Sequence, residues 1–395
     1  MTAAYASNTT TQSVALHLAF ELGWSHWRLS FTTGHGQKPR QRRIRARDLA
    51  ALELEIIKAK KRFKLDPDAP VLSCYEAGRD GFWLHRYLTT RGVVNVIVDS
   101  ASIEVNRRKR RAKSDKLDAD KLVNMLLRYH AGERKVWSVV RVPGVADEDH
   151  RQLHRELQEL LDEQTRHVNR IKGLLASQGL ALEAVDATLP EWLEAARLWD
   201  GTALGADLQQ RLLREYERWQ FVHRQVLDLQ KERRRRIRCD DTPGVDMVRR
   251  LLSLPGIGLS GSWLLVYEFF AWRSFQNRKQ VGAIVGLTGT SYQSGGMLCE
   301  QGISKAGNRR MRRMLVELAW CWLRLQPESA LTQWYARRFA EGKGPARKIG
   351  IVAVARKLLI ALWKYLEQGE IPAGARTVDW RLKGRKKVRL QDSAA

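Results

Sequence analysis

A chain of 395 residues is long enough for two or three domains of ordinary size, so its motifs can rest on real hydrophobic cores. Its 69 Lys and Arg against 43 Asp and Glu leave a formal charge of +26, a field that draws polyanions and points first to nucleic acid. No stretch reaches the roughly 18 apolar residues of a membrane span, the start lacks a signal-peptide core, and Cys74, Cys239, Cys299 and Cys321 form no CxxC pair. The expectation is a cytoplasmic, nucleoid-associated protein with no membrane partner, zinc site or disulfide framework.

Beyond a polar start, "SVALHLAFELGW" and "HWRLSFTTG" read as two strands of a hairpin with Gly23 at the turn. A helix "ARDLAALELEIIKAKKRF", a strand "VLSCYE", a helix "GFWLHRYLTTRG", a strand "VVNVIV", a charged loop and a helix "KLDADKLVNMLLRYH" follow. A hairpin followed by strands alternating with helices predicts a mixed sheet with helices on its faces. From about Glu148 the spacing of Leu153, Leu157, Leu160, Val168, Ile171 and Leu174, and then of Leu208, Leu212, Trp219, Val222, Val226 and Leu229, predicts two long amphipathic helices. Pro190, Gly201 and Gly205 between them predict a reversal, hence an antiparallel hairpin or coiled coil that serves as a spacer or as a dimerisation arm. Beyond Met247 the chain reads as short helices and turns, closed by the helix "ARKIGIVAVARKLLIALWKYL" and a basic tail.

Four acids stand out in the first part. Glu21 and Glu76 lie at strand ends, and Asp115 and Asp118 share one face at a helix start. Hard carboxylate oxygens grouped in this way suit a Mg²⁺ (or Mn²⁺) pair, although an N-cap with dipole-favourable acids explains the aspartates equally simply. The run Arg107, Arg108, Lys109, Arg110 and Arg111 lies directly before them and would gather phosphate beside a pocket that otherwise repels it.

A second constellation begins at "LLSLPGIGLSGSWLL", which has the form of a helix-hairpin-helix. Gly256 and Gly258 there would let backbone N–H groups approach a phosphate, or would merely join two helices. Further on, "YQSGGMLCEQGISKAGNRRMRR" sets Ser294 before Gly295 and Gly296, on an expected mobile or tightly turned loop. Lys305, Asn308, Arg309 and Arg312 follow as nucleic-acid contacts. A serine hydroxyl attacks phosphate only where cations or metal neutralise the developing charge, and loop serines are common, so local chemistry leaves both readings open.

Seven stretches in order, "HLAFELGWSHWRLSF", "CYEAGRDGFWLHRYL", "AKSDKLDADKL", "LPGIG", "FQNRKQVGAIVGLTG", "QSGG" and "GISKAGNRRMRRML", resemble one family over nearly the whole chain. It comprises insertion-sequence transposases that join an N-terminal RuvC-like acidic domain to a C-terminal serine domain. They are related to the Piv DNA invertase, and some act as bridge-RNA-guided recombinases. The resemblance implies an α/β plus all-α chain: an RNase H-like (RuvC-like) domain over residues 13–147, a coiled-coil arm over 148–240, a small helical domain over 247–370 and a basic tail over 371–395. It implies an acidic metal-binding tetrad of Glu21, Glu76, Asp115 and Asp118, with glutamate at position 21 where aspartate is commonest, and Ser294 as nucleophile. It further implies donor and target DNA as substrates, a guide RNA from the same element, and a homodimer or homotetramer in which the acidic domain of one subunit meets the serine of another. Two rival readings stand beside it: a metal-dependent nuclease that uses water, and a non-catalytic nucleic-acid scaffold.

Overall fold

Successive side chains of the first strand point to opposite faces of one sheet, and both faces are covered: Leu16, Leu18 and Phe20 are buried on one side, Ala19 on the other. The computed structural model describes residues 14–103, 115–294, 297–305, 307–339, 342 and 344–382. The chain divides into two units, residues 1–142 and 143–395.

In the first unit, β1 (Leu16–Leu22), β2 (His26–Thr32) and β3 (Arg40–Arg45) form an antiparallel meander, and α1 (Leu49–Arg62) leads to β4 (Val71–Glu76). The Asp48 side chain caps α1 by accepting from the Ala51 N–H at 2.9 Å. Helix α2 (Trp83–Thr90) then connects β4 to β5 (Val94–Val98), and α3 (Asp115–His130) follows. The strand order is β3-β2-β1-β4-β5, with β1, β4 and β5 parallel. Phe20, Trp27, Leu29, Leu52, Tyr75 and Leu84 fill the core on one face. On the other face Ala19, Cys74 and Val98 pack with Leu122, Val123 and Leu126 of α3. Each fully buried large side chain contributes roughly 1.5–3 kcal/mol by leaving water.

In the second unit the short α4 (Val145–Asp149) precedes α5 (Gln152–Ala176), then α6 (Leu189–Ala195) and α7 (Ala206–Cys239). Helices α5 and α7 pair antiparallel: Gln164 meets His223 at 2.8 Å, while Arg170 meets Glu215 at 2.6 Å. Glu215 is buried yet accepts from His167, Arg170 and Arg218. Burial pushes its carboxyl pKa up, but the hydrogen bonds from His167 and Arg218 and the charge of Arg170 outweigh this and hold it below the ordinary range. Past the arm come α8 (Pro243–Leu252), α9 (Leu259–Leu265) running on into a π-helical turn at Val266–Phe270, and α10 (Arg278–Ile284). A hairpin of β6 (Gly289–Ser294) and β7 (Met297–Ile303) precedes α11 (Arg309–Leu325), α12 (Ala330–Phe339) and α13 (Pro345–Gln368). Trp263, Phe269, Leu315, Trp322, Leu358 and Leu362 lie at the centre of its core.

Three features depart from expectation. Strand β3, "RQRRIR", was not foreseen, because four of its six residues are arginines and only Arg40 and Ile44 are buried. Among the residues read as loop, Ser294 instead closes β6, in register with Met297. Residues 371–382, placed in the basic tail, are partly docked on the helical unit. The Ala330 N–H donates to the Ala373 carbonyl and the Val378 N–H to the Ser253 carbonyl, while the Gln326 side-chain oxygen accepts from the Arg376 N–H. The rest of the tail, from residue 383, lies outside the described residues.

Candidate functional site

The two units carry separate groups of candidate residues. In the first, Phe20 and Tyr75 are register partners in the parallel pair of β1 and β4, and Glu21 and Glu76 come next in each strand. Both glutamates share the side-chain parity of Ala19 and Cys74, so they belong to the face that α3 covers. Helix α3 runs antiparallel to β1. The His130 ring, at its end, lies 5.9 Å from that of His17, at the start of β1. In between, Ser30 donates to Asp120 at 2.7 Å, and the Cys74 thiol donates to the Leu122 carbonyl at 3.8 Å. The first turn of α3, with Asp115 and Asp118, therefore points toward the strand ends that carry Glu21 and Glu76.

Glu21 and Asp118 are half-buried and Glu76 is exposed, so the three described carboxylates remain reachable from solvent. Glu21 also sits opposite Arg28 of β2. Among the described residues no three His, Cys, Asp or Glu side chains stand close enough to hold a metal ion. The Asp115 side chain, like Arg107, Arg108, Lys109, Arg110 and Arg111, lies outside the described residues. The donor chemistry, hard oxygens on adjacent strand ends and a facing helix, suits a divalent cation. The described side chains do not converge on one point. Beneath the carboxylates the face is dry: burial pushes the Cys74 thiol pKa up, and burial together with His130 lowers that of His17 to about 4.

In the second unit Gly256 has φ +97°, and a Cβ there would lie 3.2 Å from the Trp322 Cα of α11. That close approach is a packing reason for glycine which the reading as a phosphate contact had not foreseen. Gly258, the N-cap of α9, faces open space instead. Asn308 caps α11, its side-chain oxygen accepting from the Met311 N–H at 3.1 Å, and Arg312 donates to the Val285 carbonyl at 3.0 Å. These two expected nucleic-acid contacts are thus held by the fold, whereas Lys305 and Arg309 are exposed. Arg310 and Arg313 are exposed too, with Arg313 paired to Glu317 one turn along at 3.1 Å. Backbone pairing puts Ser294 at the hairpin end before residues 295 and 296, which lie outside the described residues.

Sequence reasoning passed over a hollow of about 1070 Å³ bounded by α10, the base of the β6–β7 hairpin and α13. Its signal was present as "NRK" at 277–279 and "ARK" at 346–348 and again at 355–357, basic steps read only as part of a family stretch and of an amphipathic helix. No helix among the described residues is long and apolar enough to cross a membrane.

The sequence profile described as "Transposase IS116/IS110/IS902 family" matches residues 248–333, from α8 through Ser294 into α12. The chain is 39% identical over 373 residues to "Putative transposase y4rJ" of Sinorhizobium fredii (strain NBRC 101917 / NGR234), covering 91% of this chain and 94% of that one. It is 26% identical over 227 residues to "Transposase for insertion sequence element IS1328" of Yersinia enterocolitica, covering 55% of this chain and 63% of that one. Near full-length similarity to the first, together with the profile over the serine-bearing segment, shows that the chain belongs to the IS116/IS110/IS902 family of insertion-sequence transposases.

Proposed function

We propose that this transposase cuts and rejoins DNA through a phosphoserine link at Ser294, assisted by an RNase H-like acidic unit and directed by a bound RNA. The register of β1 and β4 carries the reading: it sets Glu21 and Glu76 side by side on the face covered by α3, at the end where Asp118 lies. A sheet of three antiparallel strands continued by two parallel ones supports the RNase H-like assignment, and the antiparallel pairing of α5 with α7 supports a coiled-coil arm that assembles a dimer or tetramer.

Glu21, Glu76, Asp115 and Asp118 would hold Mg²⁺ (or Mn²⁺), which would supply positive charge against the phosphate. The Ser294 Oγ–P bond forms as the P–O bond to the leaving strand breaks, and the proton lost by the serine is matched by the one gained by the leaving oxygen. Attack by the hydroxyl of another strand reverses the step and frees the serine. One phosphodiester is exchanged for another, so no nucleotide hydrolysis is required. Exposed Arg309, Arg310 and Arg313 on the first turns of α11 bring cations to the same segment of chain.

The experiment is a cleavage reaction on end-labelled donor DNA stopped with denaturant. DNA joined covalently to protein should appear with the unaltered chain and with Ser291→Ala and Ser304→Ala, and be absent with Ser294→Ala. If Ser294→Ala cuts at the normal rate and leaves free ends, water is the nucleophile and the phosphoserine route is wrong. Sequencing the RNA that copurifies tests the guide directly.

A further inference from the structure

We infer that the hollow between α10, the base of the β6–β7 hairpin and α13 is a groove for a single-stranded stretch of nucleic acid, with phosphates on its rim and unstacked bases on its floor. Among the described residues six cations line it, Arg278, Lys279, Lys305, Lys348, Arg356 and Lys357, and no carboxylate does. Among the described residues none of the six is in an ion pair. Elsewhere in the same unit Glu215, Glu232 and Glu268 each neutralise arginines at 2.6–2.9 Å. Uncompensated charge gathered in a concave site is a site for a polyanion.

The floor narrows the choice of polyanion. Leu287, Ile303, Ile349, Val352, Ile360 and Trp334 supply it, and Ile349 is held 66% exposed. A duplex keeps its bases stacked inside and offers such a floor only phosphate and sugar, whereas an unpaired strand has π-faces to lay on an indole and on aliphatic side chains. The Lys357 ammonium sits 4.6 Å from the Trp334 ring centroid, and that ring meets Phe339 at 5.6 Å, so the indole is held in place. Gly289, at the edge of the groove, begins a strand of six residues that ends at Ser294, roughly 17 Å of extended chain. The groove's part in strand exchange rests on the proposed role of Ser294; strand binding itself does not.

The test is therefore done in a Ser294→Ala chain without divalent metal, by fluorescence anisotropy with a short labelled strand, as DNA and as RNA, and with the matching DNA duplex. Lys348→Glu/Lys357→Glu should weaken strand binding about tenfold or more beyond Arg211→Glu/Arg214→Glu, which makes the same charge change at exposed positions of α7. Duplex binding should fall no further than in that control. The slope of log affinity against log salt for the strand should shrink by about 1.4, as expected for two lost phosphate contacts. Trp334→Ala should weaken the strand and Trp334→Phe should restore most of it, and single Lys348→Gln, at an exposed position, repeats the test should the double variant misfold. The DNA or RNA arm with the larger loss identifies which strand the groove takes. Equal losses in groove and control variants, or equal losses for strand and duplex, overturn the assignment. So does unchanged strand binding in a folded groove variant, including one that has lost an acidic protein partner instead.

Discussion

The Ser30 hydroxyl donates a 2.7 Å hydrogen bond to the Asp120 carboxylate, tying α3 to the sheet two residues beyond Asp118. Ser30 is fully buried on β2 opposite Ala19, so nothing at that position but a short donor can reach the helix. Ser30→Ala should cost roughly 1–2 kcal/mol, because the carboxylate of Asp120 loses a partner. If α3 carries working carboxylates, metal-dependent cleavage should fall about tenfold or more even well below the melting temperature. Thermal melts alongside single-turnover cleavage separate the two effects.

Asp118→Asn keeps the shape and removes the charge. Cleavage in Mg²⁺ should drop about 100-fold or more, while the melting temperature and retention of DNA stay near those of the unaltered chain. Full cleavage by this variant removes Asp118 from the catalytic group.

Gly307 precedes the cap of α11 with φ +75°, and a Cβ there would fall 1.9 Å from the Ile284 carbonyl oxygen. Gly307→Ala should destabilise the helical unit by at least about 2–3 kcal/mol, read as an earlier urea transition for that unit alone. Gly258→Ala meets nothing within 4 Å among the described residues and should cost less than about 1 kcal/mol. Any loss of nucleic-acid affinity in that second variant then reports on the backbone at the N-cap of α9 rather than on folding.

His17 in the first unit and His154 in the second are both lowered to about 4, chiefly by burial, with His130 and Arg233 respectively as the next cause. The unfolded chain takes up these protons near pH 6.5 and the folded chain only near pH 4. The unfolded state therefore binds more protons between those values. Stability should be full above pH 6.5 and decline as pH falls toward 4, by up to roughly 3 kcal/mol for each histidine. Among the described residues both ring nitrogens of His154 are buried without a hydrogen-bond partner. His154→Phe should accordingly flatten the decline in the helical unit's melting temperature between pH 6.5 and 4.5; an unchanged slope would mean that other groups carry it.

What could be read in the sequence was whatever repeats with a period. The apolar alternation of "LHLAF" gave β1, and three- and four-residue spacing gave α5, α7 and α13. Strand β3 was hidden because an edge strand needs few apolar side chains and its arginines look like a solvated loop. The β6–β7 hairpin was hidden because "GTSYQS" has no apolar face. At the candidate site, sequence order could nominate Glu21 and Glu76 as strand ends, but their adjacency depends on the pairing of β1 with β4, which lie about fifty residues apart along the chain. The roles of Asn308 as a cap and of Gly256 against α11 depend on neighbours that no local pattern names.

The buried carboxylate of Glu215 turns the arm into a measuring rod. Sliding α5 against α7 by one helical turn would draw Glu215 away from His167 and Arg170 and leave only Arg218, on its own helix, to pair a buried charge, so the two helices have one favoured alignment. Helix α7 is 34 residues long, roughly 50 Å. The reversal beyond α6 displays Trp199 at 93% exposure, close to the beginning of α7. That indole is presented at a set reach from the helical core, so a partner docking there would be held at a distance fixed by one buried acid, not by a flexible tether.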